Sequence, residues 1–186
     1  RWRVRRASGD NGAMSALHDL AAQVPAAVER LTGIADRTPV QLNARLSKAT
    51  GSEVWLKRED LQPVRSYKLR GAYNLIAQLS DSERAAGVVC ASAGNHGQGV
   101  AYACHALGIR GQIFVPSTTP RQKRDRMLAL GGDMVDLVVV GDTYDDAATA
   151  AAARVAATGA TLVPAFDDLR TMAGQGTLAI EVVEQL

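Results

Sequence analysis

Cysteine and histidine are scarce in this chain, charge is nearly balanced, and long hydrophobic runs are missing. The 186 residues include two cysteines and three histidines. Cys90 and Cys104 lie in apolar surroundings without metal-ligand spacing, which argues against a disulfide framework or a cysteine metal site and for buried free thiols in a reducing compartment. His18 and His105 sit on helical stretches without an acidic or cysteine partner at ligand spacing, so surface or core roles are expected and no metal. A formal net charge of +2 gives no reason to expect nucleic acid as a partner. No apolar run approaches the roughly 20 residues that cross a bilayer, and no signal-peptide core is present, so a cytoplasmic protein without membrane association is expected. No internal repeat is evident.

Apolar residues, by contrast, are plentiful. At 47% hydrophobic content the chain can bury one compact domain, or one small domain with part of another. Residues Arg1 to Gly12 hold four arginines and little that packs, which predicts a disordered tail over 1–14. From Ser15 apolar residues recur at helical spacing until Gly33 and Pro39. Pro39 to Leu42 and Glu53 to Lys57 read as short strands separated by a helical turn ending at Thr50-Gly51.

Beyond Lys68 the order becomes regular. Helices are predicted over Leu69 to Leu79, Asn95 to Leu107, Arg121 to Leu130 and Tyr144 to Ala157. They alternate with strands over Val88 to Ala91, Gln112 to Val115, Met134 to Val140 and Thr161 to Val163. Such alternation implies right-handed crossovers and a parallel sheet covered on both faces, an α/β architecture. The alanine run from Ala147 to Ala153 fits a helix of high propensity. Asp168 to Leu186 is an amphipathic helix without a closing glycine cap, which raises the expectation of a longer protein.

Two places carry chemistry. Lys68 falls where an apolar strand has ended and a helix begins, between Tyr67 and Leu69, with small Ser66 and Gly71 letting other groups approach. A lysine so placed is a candidate for Schiff-base formation. The second place is Ala91-Ser92-Ala93-Gly94-Asn95-His96-Gly97-Gln98-Gly99, which follows a strand directly and opens a helix. Unpaired backbone N–H groups and the positive end of the helix dipole there favour a phosphate or carboxylate, and glycines permit close approach. The bland alternative is a Ser/Asn helix cap with tight-turn glycines. Gly174-Gln175-Gly176-Thr177-Leu178-Ala179 matches the dinucleotide pattern G-x-G-x-x-A, but no strand precedes it, so the match fails on context.

Ser66-Tyr67-Lys68-Leu69-Arg70-Gly71-Ala72, followed by Ser92-Ala93-Gly94-Asn95-His96-Gly97-Gln98-Gly99, resembles the pyridoxal-phosphate enzymes of the tryptophan-synthase-β-like fold (fold type II). Within that group it is most similar to the threonine dehydratases. The resemblance runs from about Leu31 to Leu186 and includes Val115-Pro116-Ser117-Thr118-Thr119-Pro120-Arg121-Gln122-Lys123, the Gly131-Gly132 turn and Ala173 to Ala179. It implies an α/β fold with a complete small domain over 68–164 and an incomplete large domain formed by 15–67 and 165–186. It implies pyridoxal 5'-phosphate as cofactor, with Lys68 as the lysine that carries it and removes the substrate's α-proton. Asn95 would face the cofactor ring hydroxyl, and Ser92, Gly94, Asn95 and His96 would receive the substrate carboxylate.

The implied reaction is β-elimination and deamination of L-threonine to 2-oxobutanoate and ammonia, the first step of isoleucine biosynthesis, in a homotetramer. Tyr67 stands where the family usually has Phe, which brings an extra hydroxyl in need of a partner. The family's glycine-rich phosphate loop has no counterpart before Leu186, so a truncated chain of little activity is expected. Serine dehydratase and serine racemase are the nearest alternatives. Ala93, where racemases of this group tend to carry a second serine, favours a dehydratase. Threonine synthase fits the lysine neighbourhood less well. A noncatalytic ligand-binding module that keeps the loop without a covalent cofactor is the alternative from another class.

Overall fold

The structure, a computed structural model, describes residues 11–186. The expected tail lies outside these residues as far as Asp10, and helix α1 (Asn11–Leu31) opens before Ser15 and runs through Pro25. Strands β1 (Val40–Leu42) and β2 (Trp55–Lys57) flank helix α2 (Ala44–Thr50) and pair antiparallel, Val40 with Lys57 and Leu42 with Trp55. The Asn43 side chain caps α2 by accepting from Leu46 N–H, and Gly51 closes it at φ 68°. A 3-10 turn over Glu59–Leu61 then leads to helix α3 (Lys68–Ile76).

The expected helix to Leu79 stops at Ile76, because a separate helix, α4 (Asp81–Ala86), begins behind a capping box. The Ser80 hydroxyl accepts from Glu83 N–H, and the Glu83 carboxylate accepts from Ser80 N–H. The S-x-x-E spacing that marks such a start stands in the sequence, just past the residue where the helical reading ends.

The remaining elements alternate as expected: β3 (Val88–Ala91), α5 (Asn95–Leu107), β4 (Gly111–Val115), α6 (Arg121–Gly131), β5 (Val135–Val139), α7 (Tyr144–Thr158), β6 (Thr161–Leu162) and α8 (Leu169–Gln185). The four strands form one parallel sheet in the order β5-β4-β3-β6. Side chains of period two divide between its faces. Val88, Cys90, Ile113 and Val115 pack with Val100, Cys104 and Met127 of α5 and α6. Val89 and Phe114 pack with Ala147 and Ala151 of α7. Each large apolar side chain so buried contributes about 1.5–3 kcal/mol against exposure. The two cysteines are free and fully buried, and burial pushes the Cys104 thiol up to about 12.

The winding of the chain sets the location of the site. From β3 the chain steps outward through α5 to β4 and through α6 to β5. It then crosses by way of α7 to the other side of β3 and lays down β6. The direction of winding reverses between β3 and β6, and in open α/β sheets ligands bind outside the carboxyl ends of strands at such a reversal. The segments leaving β3 and β6 are Ser92–Gly94 and Val163–Asp168. Helix α3 lies against α5 and α8, and α1 packs on α8. No helix among the described residues is long and apolar enough to cross a membrane.

Candidate functional site

Lys68 is the first residue of α3. Its N–H is accepted by the Ser66 hydroxyl at 3.2 Å, so the turn into the helix is closed locally. Three residues earlier Arg65 takes φ 55°, a left-handed conformation uncommon for a side chain of that size, at the bend that brings the lysine round. Helix α5 comes close to this corner at Gly99, where a Cβ would stand 3.0 Å from the Lys68 carbonyl oxygen and 3.2 Å from Leu69 N. Glycine there lets one helix lie on the backbone that starts the other.

The Lys68 side chain is half-buried. Its ammonium donates to the Ala165 carbonyl at 2.7 Å and lies 5.2 Å from the centre of the Tyr67 ring and 5.9 Å from that of Phe166. Both distances fall within the range of attraction between a cation and an aromatic face. Its polar partner is thus one neutral carbonyl, which it can leave without stranding a buried charge.

The loop after β3 begins with Ser92, whose N–H is accepted by the Phe114 carbonyl and whose hydroxyl accepts from Gly94 N–H at 3.2 Å. Gly94 precedes α5 and supplies no side-chain cap; α3 and α6 also begin uncapped, whereas α2, α4, α7 and α8 are capped by side chains. A Cβ built on Gly94 meets nothing within 4 Å. Asn95 is exposed at the first helical position. Space is therefore open at Gly94 beside the start of α5, where helix N–H groups lack intrahelical partners, an arrangement that suits an anion.

The His96 side chain is turned inward. It is 4% exposed, and its Nε2 lies 2.8 Å from the Val163 carbonyl, which can only accept, so Nε2 carries the proton. Nδ1 is buried with no partner. Burial lowers its pKa below the ordinary histidine value; the bond to Val163 opposes this and the charge of Lys68 reinforces it. The ring is turned inward as a tie between α5 and the segment after β6, so His96 can offer a carboxylate its backbone N–H and not its side chain.

Lys68 and His96 thus donate to carbonyls two residues apart on one segment. Sequence reasoning does not single out that segment, or Phe166 in particular, because Val-Pro-Ala-Phe reads only as the end of a strand. The polar anchor behind Lys68 escapes it as well. Arg70 is 1% exposed and bonds Glu59 through Nε at 2.9 Å and Nη2 at 3.0 Å, and Glu181 through Nη1 at 2.6 Å. Lys57 reaches Glu181 at 2.5 Å, and the Thr38 hydroxyl donates to Glu59 at 2.6 Å. Burial alone would raise the Glu59 carboxyl, but its bonds to Arg70, Thr38 and Gln62 outweigh this and hold it below the usual carboxylate range. Gly174 of the dinucleotide-like pattern lies inside α8, where a Cβ would collide with the Arg70 carbonyl. The motif is a close helix contact, as its context implied.

Comparison with known proteins gives one family. The profile of pyridoxal-phosphate dependent enzymes matches residues 31–186. The biosynthetic L-threonine dehydratase IlvA of Mycobacterium bovis is 62% identical over 165 residues, which are 89% of this chain and 38% of that protein. The corresponding enzyme of Corynebacterium glutamicum is 53% identical over 166 residues, again 89% and 38%. Among solved structures, the processed form of threonine deaminase isoform 2 from Solanum lycopersicum superposes with a TM-score of 0.83 at 40% identity, covering 96% of this chain and 47% of that one. Maize serine racemase superposes with a TM-score of 0.82 at 29% identity, covering 89% and 49%. The chain therefore spans less than half the length of these relatives.

Proposed function

Because the chain belongs to the pyridoxal-phosphate dependent enzymes, we propose that it is the lysine-bearing part of an L-threonine dehydratase that converts threonine to 2-oxobutanoate and ammonia for isoleucine biosynthesis. The observation that carries this reading is the setting of Lys68. A half-buried amine starts a helix, lies 5.2 and 5.9 Å from two aromatic ring centres and bonds one exchangeable carbonyl. The residues fit the cofactor at its reactive end. The amine is the nucleophile an aldehyde needs, and the open, uncapped start of α5 receives negative charge. When bound, the cofactor supplies an electron sink for the pair left on the substrate's α-carbon.

The chain's own residues supply the rest. Lys68 Nζ, released from the Ala165 carbonyl, would hold the cofactor and would take the substrate's α-proton. Asn95 at the head of α5 would hydrogen-bond the cofactor ring hydroxyl. The Ser92 hydroxyl and the N–H groups of Asn95 and His96, with Gly94 leaving the approach open, hold the substrate carboxylate, which fixes the breaking bond relative to Lys68. The ring of His96 keeps this loop joined to the segment after β6. In this reading 68–164 is the small domain, 15–67 and 165–186 belong to the large one, and the assembly is a cytoplasmic homotetramer.

Borohydride trapping tests the reading. The chain is incubated with pyridoxal phosphate, reduced and mapped by peptide mass. Selective label on Lys68 is the expected result. Its absence, both here and in a chain extended along the reading frame, would move the assignment to a noncatalytic binding module.

A further inference from the structure

Phe166 is out of place by the ordinary rules of burial. Its ring is 73% exposed, and a lone exposed aromatic side chain would need no comment. Its backbone, however, is held with unusual thoroughness. The carbonyls of Val163, Pro164, Ala165 and Phe166 each accept from a different donor: His96 Nε2 at 2.8 Å, the Thr171 hydroxyl at 3.3 Å, Lys68 Nζ at 2.7 Å and Asp168 N–H at 3.1 Å. Two of these donors belong to α3 and α5, the helices that carry the reactive lysine and the anion loop. The other two start α8. Four fixed carbonyls set where the ring stands, and burial of the ring does not. The place they set is the approach to Lys68 Nζ, 5.9 Å from the ring centre, with Tyr67 flanking the same atom.

Resting on the proposed dehydratase function, we propose that Phe166 is the shielding residue of the site, an aromatic wall that covers whatever is bonded to Lys68 Nζ from water and from small nucleophiles. Tyr67 forms the flanking wall. The strap from Val163 to Phe166 carries the ring, and once Lys68 has left the Ala165 carbonyl the bonds from His96, Thr171 and Asp168 still hold it. A nitrogen bonded to the cofactor retains cationic character when protonated, so the aromatic face also attracts it. Exclusion of water at this nitrogen protects the C=N bond from hydrolysis while substrate exchange proceeds.

Hydroxylamine measures that cover directly. It adds to the C=N carbon, the bond to Lys68 breaks, and the products are the cofactor oxime and the free Lys68 amine, with no oxidant or reductant consumed. The protein is loaded with pyridoxal phosphate, label on Lys68 is verified by borohydride reduction and peptide mapping, and cofactor release by hydroxylamine is followed by absorbance. Phe166→Ala should release the cofactor about two- to fivefold faster, the loss expected from one cation–π contact at an exposed site. Phe166→Tyr retains the ring and should restore the slow rate. Because the ring is exposed, neither change removes a packed core side chain. Equal rates for the parent and Phe166→Ala, or a Tyr variant as fast as the Ala variant, would overturn the shielding role while leaving Lys68 as the cofactor lysine. Absence of label on Lys68 in the parent would overturn the proposed function, and this inference with it.

Discussion

Lys68 and Arg70 are two residues apart on one helix and live under opposite rules. Arg70 is sealed in the interior with carboxylates on both sides, and nearly every polar neighbour is itself bonded. Lys68 is half-buried, holds one neutral carbonyl, and is edged by aromatic rings and an uncapped helix start. A saturated network fixes position because no member can leave without stranding a charge. An undersaturated amine is free to change partners, which is what covalent chemistry asks of it. The anchor behind the lysine is therefore what allows the lysine itself to be loosely held.

Lys68→Ala probes the loose end and should have the largest effect on chemistry: reductive labelling by pyridoxal phosphate disappears entirely. Stability should fall by no more than about 0.5–1.5 kcal/mol, the net worth of one hydrogen bond. A large loss of stability would mean that Lys68 is a structural residue and would erase the contrast.

Arg70→Met probes the tight end. It leaves Glu59 buried without its cation and should cost about 3–5 kcal/mol in denaturant unfolding. The same network makes stability depend on acid. The folded Glu59 carboxyl lies below its ordinary value of 4.5, so its contribution is complete above that value and is lost as pH falls through the lower folded one. Arg70→Met should flatten this acid dependence, and an unchanged profile would place its origin elsewhere.

Gly99→Ala couples the two ends. A Cβ 3.0 Å from the Lys68 carbonyl oxygen forces α5 or the lysine corner to move, with an expected cost of about 1–3 kcal/mol and weaker labelling at Lys68. Thr143→Ala serves as the distant counterpart. It removes the capping box of α7, in which the Thr143 hydroxyl accepts from Asp146 N–H, and should cost about 1 kcal/mol with labelling unchanged.

The smallest effect concerns His96. Its folded pKa lies below the ordinary 6.5, so the unfolded chain takes up its proton first and stability declines as pH falls from about 6.5 towards the folded value. Unfolding in urea at pH 7 and at pH 5.5 measures this decline, and His96→Gln should reduce it.

Much of the fold is legible because local chemistry repeats. Period-two strands such as Val88 to Ala91 and helical runs such as Asn95 to Leu107 declare themselves within a few residues. Lys68 is legible because a lysine opens a helix between Tyr67 and Leu69, and the Ser92 to Gly99 loop because its small and polar residues follow a strand directly. The helix break after Ile76 escapes the periodicity, although Ser80 and Glu83 signal it. The inward turn of His96 leaves no local trace: a histidine beside a ligand loop looks the same whether its ring faces substrate or a carbonyl far along the chain. Phe166, Glu59 and Glu181 are hidden for the same reason, since their partners are also distant in sequence.

The sequence by itself therefore determined the α/β alternation, the lysine that opens a helix, the loop of small and polar residues that opens α5 and, through the paired motifs, the family. These are properties of short windows, where side-chain period and turn chemistry act over a few residues. Only the tertiary structure decided that Val163 to Phe166 spans the site, that His96 is a tie, and that Arg70 anchors the helix Lys68 begins. Each of these is a bond between groups far apart in the chain, and which distant donor meets which carbonyl is settled when the sheet reverses its winding and brings the ends of β3 and β6 side by side.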